Sequence, residues 1–521
     1  MGLPETDAAQ TVHDVAIVGF GPTGAVAAGL LGGHGLKVIA CDRSREVYDK
    51  PRAIALDHEI LRVFQQLGVV DAVLAHAEPF TPSEFHGTEG QLIKRFTTVE
   101  PPYPLGYTPS MVFTQPPVER ALRAHVQALP SVDVALGVEL VDLAQDAEGV
   151  TLTLRDDGGA SRTVRARYLI ACDGASSTVR GLVGATLEDL DFDEPWLVVD
   201  VLLNERGLAK VPTTSKQYCE PQRPCSYIIG PGNHRRWEIS INEGEDPREV
   251  ATPEGSWKLL ARWLTPDDAT LWRQASYRFH ALVADRWRTG RVFLAGDAAH
   301  QQPPFLGQGM CQGIRDAANL SWKLEAVLRG RAADELLDSY GPERKAHVTE
   351  LTRRIKDIGR LVGERDPVKA RERDARLLAE CGGVVKSVPR QDIQPALSAG
   401  LLSPMAHAAN GTIFPQPRLA RHGRTQAMDA IVAPGWRLAL APDVSLSSLQ
   451  GQLAEESGFA VIRMGADGLT DPDGVYANWF RKHGCVAAIV RPDHYIWGVA
   501  EDADRIDTLL RQSDDQLAST C

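Results

Sequence analysis

The chain has 521 residues, of which 43% are hydrophobic and 24% charged, and a formal charge of −12. These proportions describe a globular chain with material for several domains and exclude a disordered, collagenous or coiled-coil one. The acidic balance disfavours nucleic acid and anionic membranes as partners, and no run of about 18 apolar residues is present to span a bilayer.

The first ten residues, MGLPETDAAQ, lack a basic region followed by an apolar one, which points to the cytoplasm. Met1-Gly2 with Thr6 fits a myristoylation pattern formally, with no second membrane signal beside it. Asp14-Val-Ala-Ile-Val-Gly19 is a β-branched run, a helical pattern covers 23–33, and 36–42 is a second apolar run, so the chain opens with a strand–turn–helix–strand unit. Helical spacing recurs over 59–67 and 118–129, whereas 132–154 alternates as antiparallel strands do. Apolar strands precede Asp173 and Asp297. Between them, 196–203, 226–229 and 236–241 alternate in short runs that predict an inserted, mostly antiparallel sheet able to cap a pocket. A helix is predicted over 309–329, with Ile314, Ala317, Ala318, Leu324 and Leu328 on one side, and another over 343–362. A boundary is expected near 385–410, followed by four short strands and a closing helix over 502–512. The division expected is 1–185 and 286–390 for a nucleotide-binding part, 186–285 for the inserted sheet and 391–521 for a small α/β domain. The eight cysteines (41, 172, 219, 225, 311, 381, 485 and 521) show neither Cys-x-x-Cys nor paired Cys/His spacing, so no metal site or dithiol motif is expected.

Gly19-Phe-Gly21-Pro22-Thr23-Gly24 is G-x-G-x-x-G directly after a strand and opening a helix. Glycines there permit the tight turn and let backbone approach a pyrophosphate, while the helix N-terminus offers N–H groups to it. Asp42, with Arg43 after it, ends the second strand eighteen residues past Gly24, where a carboxylate can accept both hydroxyls of an adenosine ribose. That motif alone does not separate FAD from NAD. Two later segments do: Cys172-Asp173-Gly174 and Gly296-Asp297-Ala-Ala-His300 each place Asp beside Gly at the end of an apolar strand. After the second, Pro303 and Pro304 fix a loop lacking two N–H donors, and Gly307, Gly309 and Met310 bring a helix start toward a flavin ring.

In this ordered triple the chain resembles the single-component (class A) FAD-dependent aromatic hydroxylases, over roughly residues 14–350. Within them it is similar to the 3-(3-hydroxyphenyl)propionate hydroxylase branch, through Pro51-Arg52-Ala53-Ile54, Gln115-Pro116, Val199-Asp200, Gly307-Gln308-Gly309 and Arg315-Asp316-Ala317. It departs at Gln301-Gln302-Pro303-Pro304-Phe305, which leaves the substrate open. The resemblance implies an α/β fold: a Rossmann-like FAD-binding domain with an inserted, mostly antiparallel substrate sheet, long helices and a C-terminal thioredoxin-like domain. It also implies that Asp42, Arg52 and Gln115 contact FAD, that Asp173 sits near the pyrophosphate and that Asp297 holds the ribityl chain. The implied reaction is reduction of FAD by NADH or NADPH, addition of O₂, and oxygen transfer from a flavin C4a-hydroperoxide to a phenol. No second G-x-G-x-x-G appears, so the nicotinamide is expected to bind transiently.

Phenol hydroxylation calls for a general base, for which His58, His280, Tyr218 and Tyr227 are candidates, although a histidine or tyrosine in a large protein more often packs or hydrogen-bonds without chemistry. Arg223 is a candidate to pair bidentately with a substrate carboxylate. The expected substrate is a small phenol bearing a short acidic side chain, in aromatic catabolism. The alternatives are a hydroxylase tailoring a polycyclic natural product, an FAD-dependent dehydrogenase that inserts no oxygen, and a flavin-bound sensor. Cys485 alone cannot cycle a dithiol, so the C-terminal domain reads as structural, with a homodimer interface as one use.

Overall fold

A computed structural model describes residues 12–432 and 434–518; the N-terminal myristoylation and signal readings and Cys521 fall outside the described residues. The opening unit is β1 (Val12–Val18), α1 (Pro22–Gly33) and β2 (Val38–Asp42), followed by α2 (His58–Gln66), α3 (Gln115–Gln127), β3 (Val132–Leu136) and β4 (Ser161–Ala171). The inserted part contributes β5 (Leu187–Leu203), β6 (Ser215–Tyr218), β7 (Cys225–Ile229), β8 (His234–Ser240) and β9 (Ala269–Ala284). The chain then returns through β10 (Val292–Leu294) to α4 (Gly309–Leu328), α5 (Tyr340–Gly363) and α6 (Pro367–Glu380).

The first sheet runs β10–β4–β1–β2–β3 with every pairing parallel. The C-terminal halves of β1 (15–18) and β4 (168–171) are buried on both sides, which is why they read as unbroken apolar runs. The 132–154 segment is therefore split: Val132–Leu136 joins the parallel edge of this sheet, and only Val138–Gln145 and Val150–Asp156 form the antiparallel extension. Period-two alternation cannot report the direction of a partner strand.

The second sheet is larger than the 186–285 segment. It takes Ser83–His86 and Leu92–Thr97 from the nucleotide-binding part and Ser387–Pro389 from the expected linker, pairing β6 with Ser83–His86 in parallel. Both of its faces are buried. Trp196, Val198, Phe85 and Phe279 pack against Leu306 and α5, whereas Leu197, Val199, Tyr227 and Trp237 pack under Val250 and Leu260 of the helices Pro247–Val250 and Pro253–Leu260.

The C-terminal domain comprises β11 (Arg437–Leu440), α7 (Ser448–Glu456), β12 (Ala460–Ile462), α8 (Val475–His483), β13 (Ala487–Val490), β14 (Ile496–Ala500) and α9 (Ile506–Ala518), with sheet order β12–β11–β13–β14. It docks through buried polar contacts. Arg491 donates to Glu343 of α5 at 2.7 Å, Arg62 of α2 donates to Asp429 at 2.6 Å, and the Tyr495 hydroxyl donates to Glu59 at 2.7 Å. Among the described residues no helix is long and apolar enough to cross a membrane.

Candidate functional site

Four stretches distant in sequence meet at the C-terminal ends of β1, β4 and β10, where open parallel sheets hold ligands. Gly19 has φ +97°, and a Cβ there would collide with the Cys172 carbonyl at the end of β4. A Cβ on Gly24 would strike the Gly19 carbonyl, and one on Gly313 would strike Thr23. One on Gly296 would lie 2.9 Å from the Thr23 hydroxyl oxygen, and one on Gly307 would lie 2.8 Å from Ala55. Two glycines differ: a Cβ on Gly21, or on Gly309 at the first position of α4, meets nothing within 4 Å. Both stand at helix starts and face open space, with first-turn N–H groups free of intrahelical partners.

Asp42 is fixed by two backbone donors, the amides of Phe20 and Ser44, each at 2.7 Å. Arg43 is exposed. Beside them α3 presents a buried ladder. Gln115 accepts from the Ala53 amide at 2.6 Å and donates to Glu119, which in turn accepts from Arg123 at 3.2 Å. Gln115 thereby fixes the loop carrying Arg52, whose own side chain is exposed. Arg123, which the sequence reading did not single out, lies over the Phe20 ring and 4.0 Å from Asp42, and its Nε and Nη1 are buried without a partner. An arginine eight positions after Gln115 on the same helix face was the available signal.

Asp173 accepts from the Ser177 hydroxyl and the Val179 amide and so caps the short helix Thr178–Leu182. Asp297 has exposed surface yet is ringed by protein, as a side chain at the bottom of a deep cleft is. Burial raises the pKa of its carboxyl, with His300 and Arg52 pulling the other way. The turn that aims it is held from behind. Asp316 of α4 accepts from the Gly296 amide at 2.9 Å and from Arg344 at 2.8 Å, and its partner at 2.7 Å is His300. The shared wording around His300 and Asp316 is thus a buried brace.

The five substrate-side candidates separate. His58 lines a cavity of about 320 Å³ between the 306–308 loop, the 390–396 segment and the C-terminal domain; burial lowers its pKa to about 4 despite adjacent Asp57, so the ring is neutral. His280 lies 3.4 Å from Asp193, both part-exposed. Tyr227 donates to the Pro212 carbonyl at 3.0 Å and packs on Trp237, and Tyr218 packs on Trp263, on the sheet face turned toward the Pro247–Leu260 helices. Arg223 is held bidentately by Glu245 at 2.7 and 2.8 Å. The tyrosines and Arg223 are committed to structural partners because alternation places a side chain on a face without saying which face meets the site.

Residues 12–355 match the family model described as FAD binding domain, and residues 411–516 match the one described as HcaD C-terminal domain. The chain belongs to the FAD-dependent aromatic hydroxylases. It is 38% identical to a probable NADH-specific resorcinol 4-hydroxylase of Rhodococcus jostii (strain RHA1), over 97% of this chain and 95% of that one. It is 31% identical to a 3-(3-hydroxy-phenyl)propionate/3-hydroxycinnamic acid hydroxylase of Mycobacterium sp. (strain JLS), over 97% and 93%. Two solved structures share its fold: the flavin-dependent monooxygenase PieE in complex with FAD and substrate (TM-score 0.81, 22% identity, 98% and 99% covered) and aklavinone-11 hydroxylase with FAD and aklavinone (0.80, 23%, 97% and 99%). The hydroxylase fold and FAD as cofactor therefore stand as the sequence reading had them. The cleft suits this cofactor: two helix starts facing open space, a carboxylate free to accept hydroxyls and a guanidinium with two unpartnered nitrogens are what a diphosphate-linked flavin requires.

Proposed function

We propose that this protein is an FAD-dependent monooxygenase that uses NADH or NADPH and O₂ to hydroxylate a monocyclic phenol. The observation that carries this is the convergence of the 19–24 turn, the Asp173 strand end and the 296–313 segment on one cleft, in a chain of the FAD-binding family. The relatives named for resorcinol and hydroxyphenylpropionate, both single rings, support the ring size.

When bound, FAD supplies hydride acceptance and activation of O₂. In our reading the amides at the starts of α1 and α4 hold its negative charge, Gly21 leaving the room. Asp42 accepts ribose hydroxyls, Arg123 completes that end, and Asp297 accepts from the ribityl chain. Gln115 positions the Arg52 loop, and Asp173 maintains the turn beneath the diphosphate. Pro303, Pro304 and Phe305 exclude water, Phe305 sitting with its ring 5.4 Å from that of Trp196. The C-terminal domain is thioredoxin-like in this reading, supported by its βαβαββα order, and serves a structural purpose. The test is purified protein with a phenol panel: bound FAD, nicotinamide oxidation stimulated by phenol, and product heavier by one oxygen are expected. Protein that stays colourless when FAD is supplied in excess overturns the reading.

A further inference from the structure

The sheet face that meets the nucleotide-binding part carries an unusual row. Gln217 of β6, Ser226 of β7, Glu238 of β8 and Val198 of β5 are register partners in turn. Glu238 lies between Trp237 and Ile239, which belong to the far-face core, so alternation points it inward. Contacts bracket this row on both sides. One residue away on its own face, Arg236 donates to the Arg52 carbonyl at 2.8 Å, anchoring the sheet to the loop ahead of α2. On the other side Trp196 packs on Phe305 of the loop ahead of α4. Glu238 therefore lies on the sheet face bracketed by the two loops that border the flavin-binding turns.

Most polar groups on this face have partners, although Arg273 Nε and His234 Nδ1 are buried without one. Ser226 donates to Gln217, Asp200 takes Arg236 at 2.7 Å and lies 2.8 Å from His234, and Arg273 contacts Asp200 and Tyr277. Glu238 is 2% exposed, and its Oε2 is buried with no partner. A carboxyl so placed without a hydrogen bond weakens the empty protein, and a donor arriving with a ligand removes that cost. Arg236 is already held by Asp200, and a substrate carboxylate beside Glu238 would meet a second carboxyl at close range.

Resting on the reading of the chain as a phenol hydroxylase, we infer that Glu238 accepts a hydrogen bond from a second ring hydroxyl of the substrate, making that substrate an uncharged dihydric phenol rather than an aromatic carboxylate. Burial lifts its carboxyl to about 7, with Arg236 pulling it down and Asp200 pushing it up. The residue is a specificity determinant, and its loss shows in discrimination.

The experiment compares holoenzyme, Glu238→Leu and Glu238→Gln on resorcinol, 3-methylphenol and 3-(3-hydroxyphenyl)propionate, with product and nicotinamide both counted. The wild type is expected to favour resorcinol over 3-methylphenol by about tenfold or more in kcat/KM, the worth of one hydrogen bond to a buried acceptor. Glu238→Leu is expected to erase that preference mainly through KM, Glu238→Gln to keep part of it, and neither to lower Tm, since no bond within the chain is lost. An unchanged preference in Glu238→Leu, a wild type that favours the propionate, or a fall in Tm with equal losses on every substrate overturns the inference. A wild type that hydroxylates none of the three overturns the functional reading instead.

Discussion

The glycines of the 19–24 turn perform separable tasks. Gly19 sits at φ +97° against the Cys172 carbonyl, so Gly19→Ala strains the backbone and pushes two strand ends apart. Its expected outcome is a less stable protein whether or not flavin is present, read as a lower Tm of the apoprotein. Gly21 points at open space. Gly21→Val is expected to leave the Tm of the apoprotein within a few degrees while abolishing flavin retention on gel filtration; equal damage to both would show that the space is not where the diphosphate lies. For Asp297, whose carboxylate has no competing partner among the described residues, Asp297→Ala is expected to weaken FAD binding by about tenfold or more, by titration of the apoprotein. His58 and Arg123 show what burial adds at this scale: one is held neutral, the other is a guanidinium with two unpartnered nitrogens.

At the scale of elements, the inserted sheet shows how burial on both faces defeats a reading by polarity. In a sheet with one wet face, Ser226 and Glu238, alternating with Tyr227, Trp237 and Ile239, would be solvent-facing and the aromatic residues would face the site. Here the helices Pro247–Val250 and Pro253–Leu260 cover the aromatic face, so the polar residues are inward and Tyr218 and Tyr227 lie behind the sheet. Tyr227→Phe is accordingly expected to cost about 1 kcal/mol of stability, from the lost bond to Pro212, with turnover per bound FAD unchanged. A large fall in turnover at full flavin content would return Tyr227 to the chemistry. α4 makes the complementary point. Its apolar stripe was legible, yet Arg315, Asp316, Asn319 and Lys323 on its other sides are buried too, because α2, the turn at Gly296, α5 and the C-terminal domain cover faces that periodicity assigns to water.

For the whole molecule, the docking of the C-terminal domain centres on Glu343, which accepts from Arg491 and from Lys323, each at 2.7 Å. Burial alone would raise the Glu343 pKa, but Arg491 and Lys323 bring it down to about 2 from the ordinary 4.5. A depressed carboxyl contributes stability that is full above the unfolded value, so this contribution is present above pH 4.5 and is lost as pH falls toward about 2. Glu343→Ala strands the buried Lys323 ammonium and leaves Arg491 with Asp493 alone, and is expected to destabilise by about 3–5 kcal/mol, with faster proteolysis between the domains. In urea melts across that range the wild type should lose stability more steeply than the variant; parallel curves would show that the cluster does not hold the domains. Cys485, buried and with its thiol pushed up to about 12, is inert by contrast, and Cys485→Ser is expected to leave turnover intact.

What could be read from residue order alone was whatever follows from chain-local geometry: the glycine turn opening α1, the strand ends bearing Asp173 and Asp297, the long helices, and the order of motifs that marks the hydroxylase family. These depend on backbone stereochemistry within a few residues, which sequence encodes directly. Tertiary structure alone decided which sheet face meets the cleft, that Arg223 is engaged by Glu245, that strands from 83–97 and 387–389 complete the sheet, and that Glu238 is buried without a partner. Those outcomes depend on which distant element covers a surface, and the desolvation that gives a buried carboxyl or guanidinium its meaning exists only once that cover is in place.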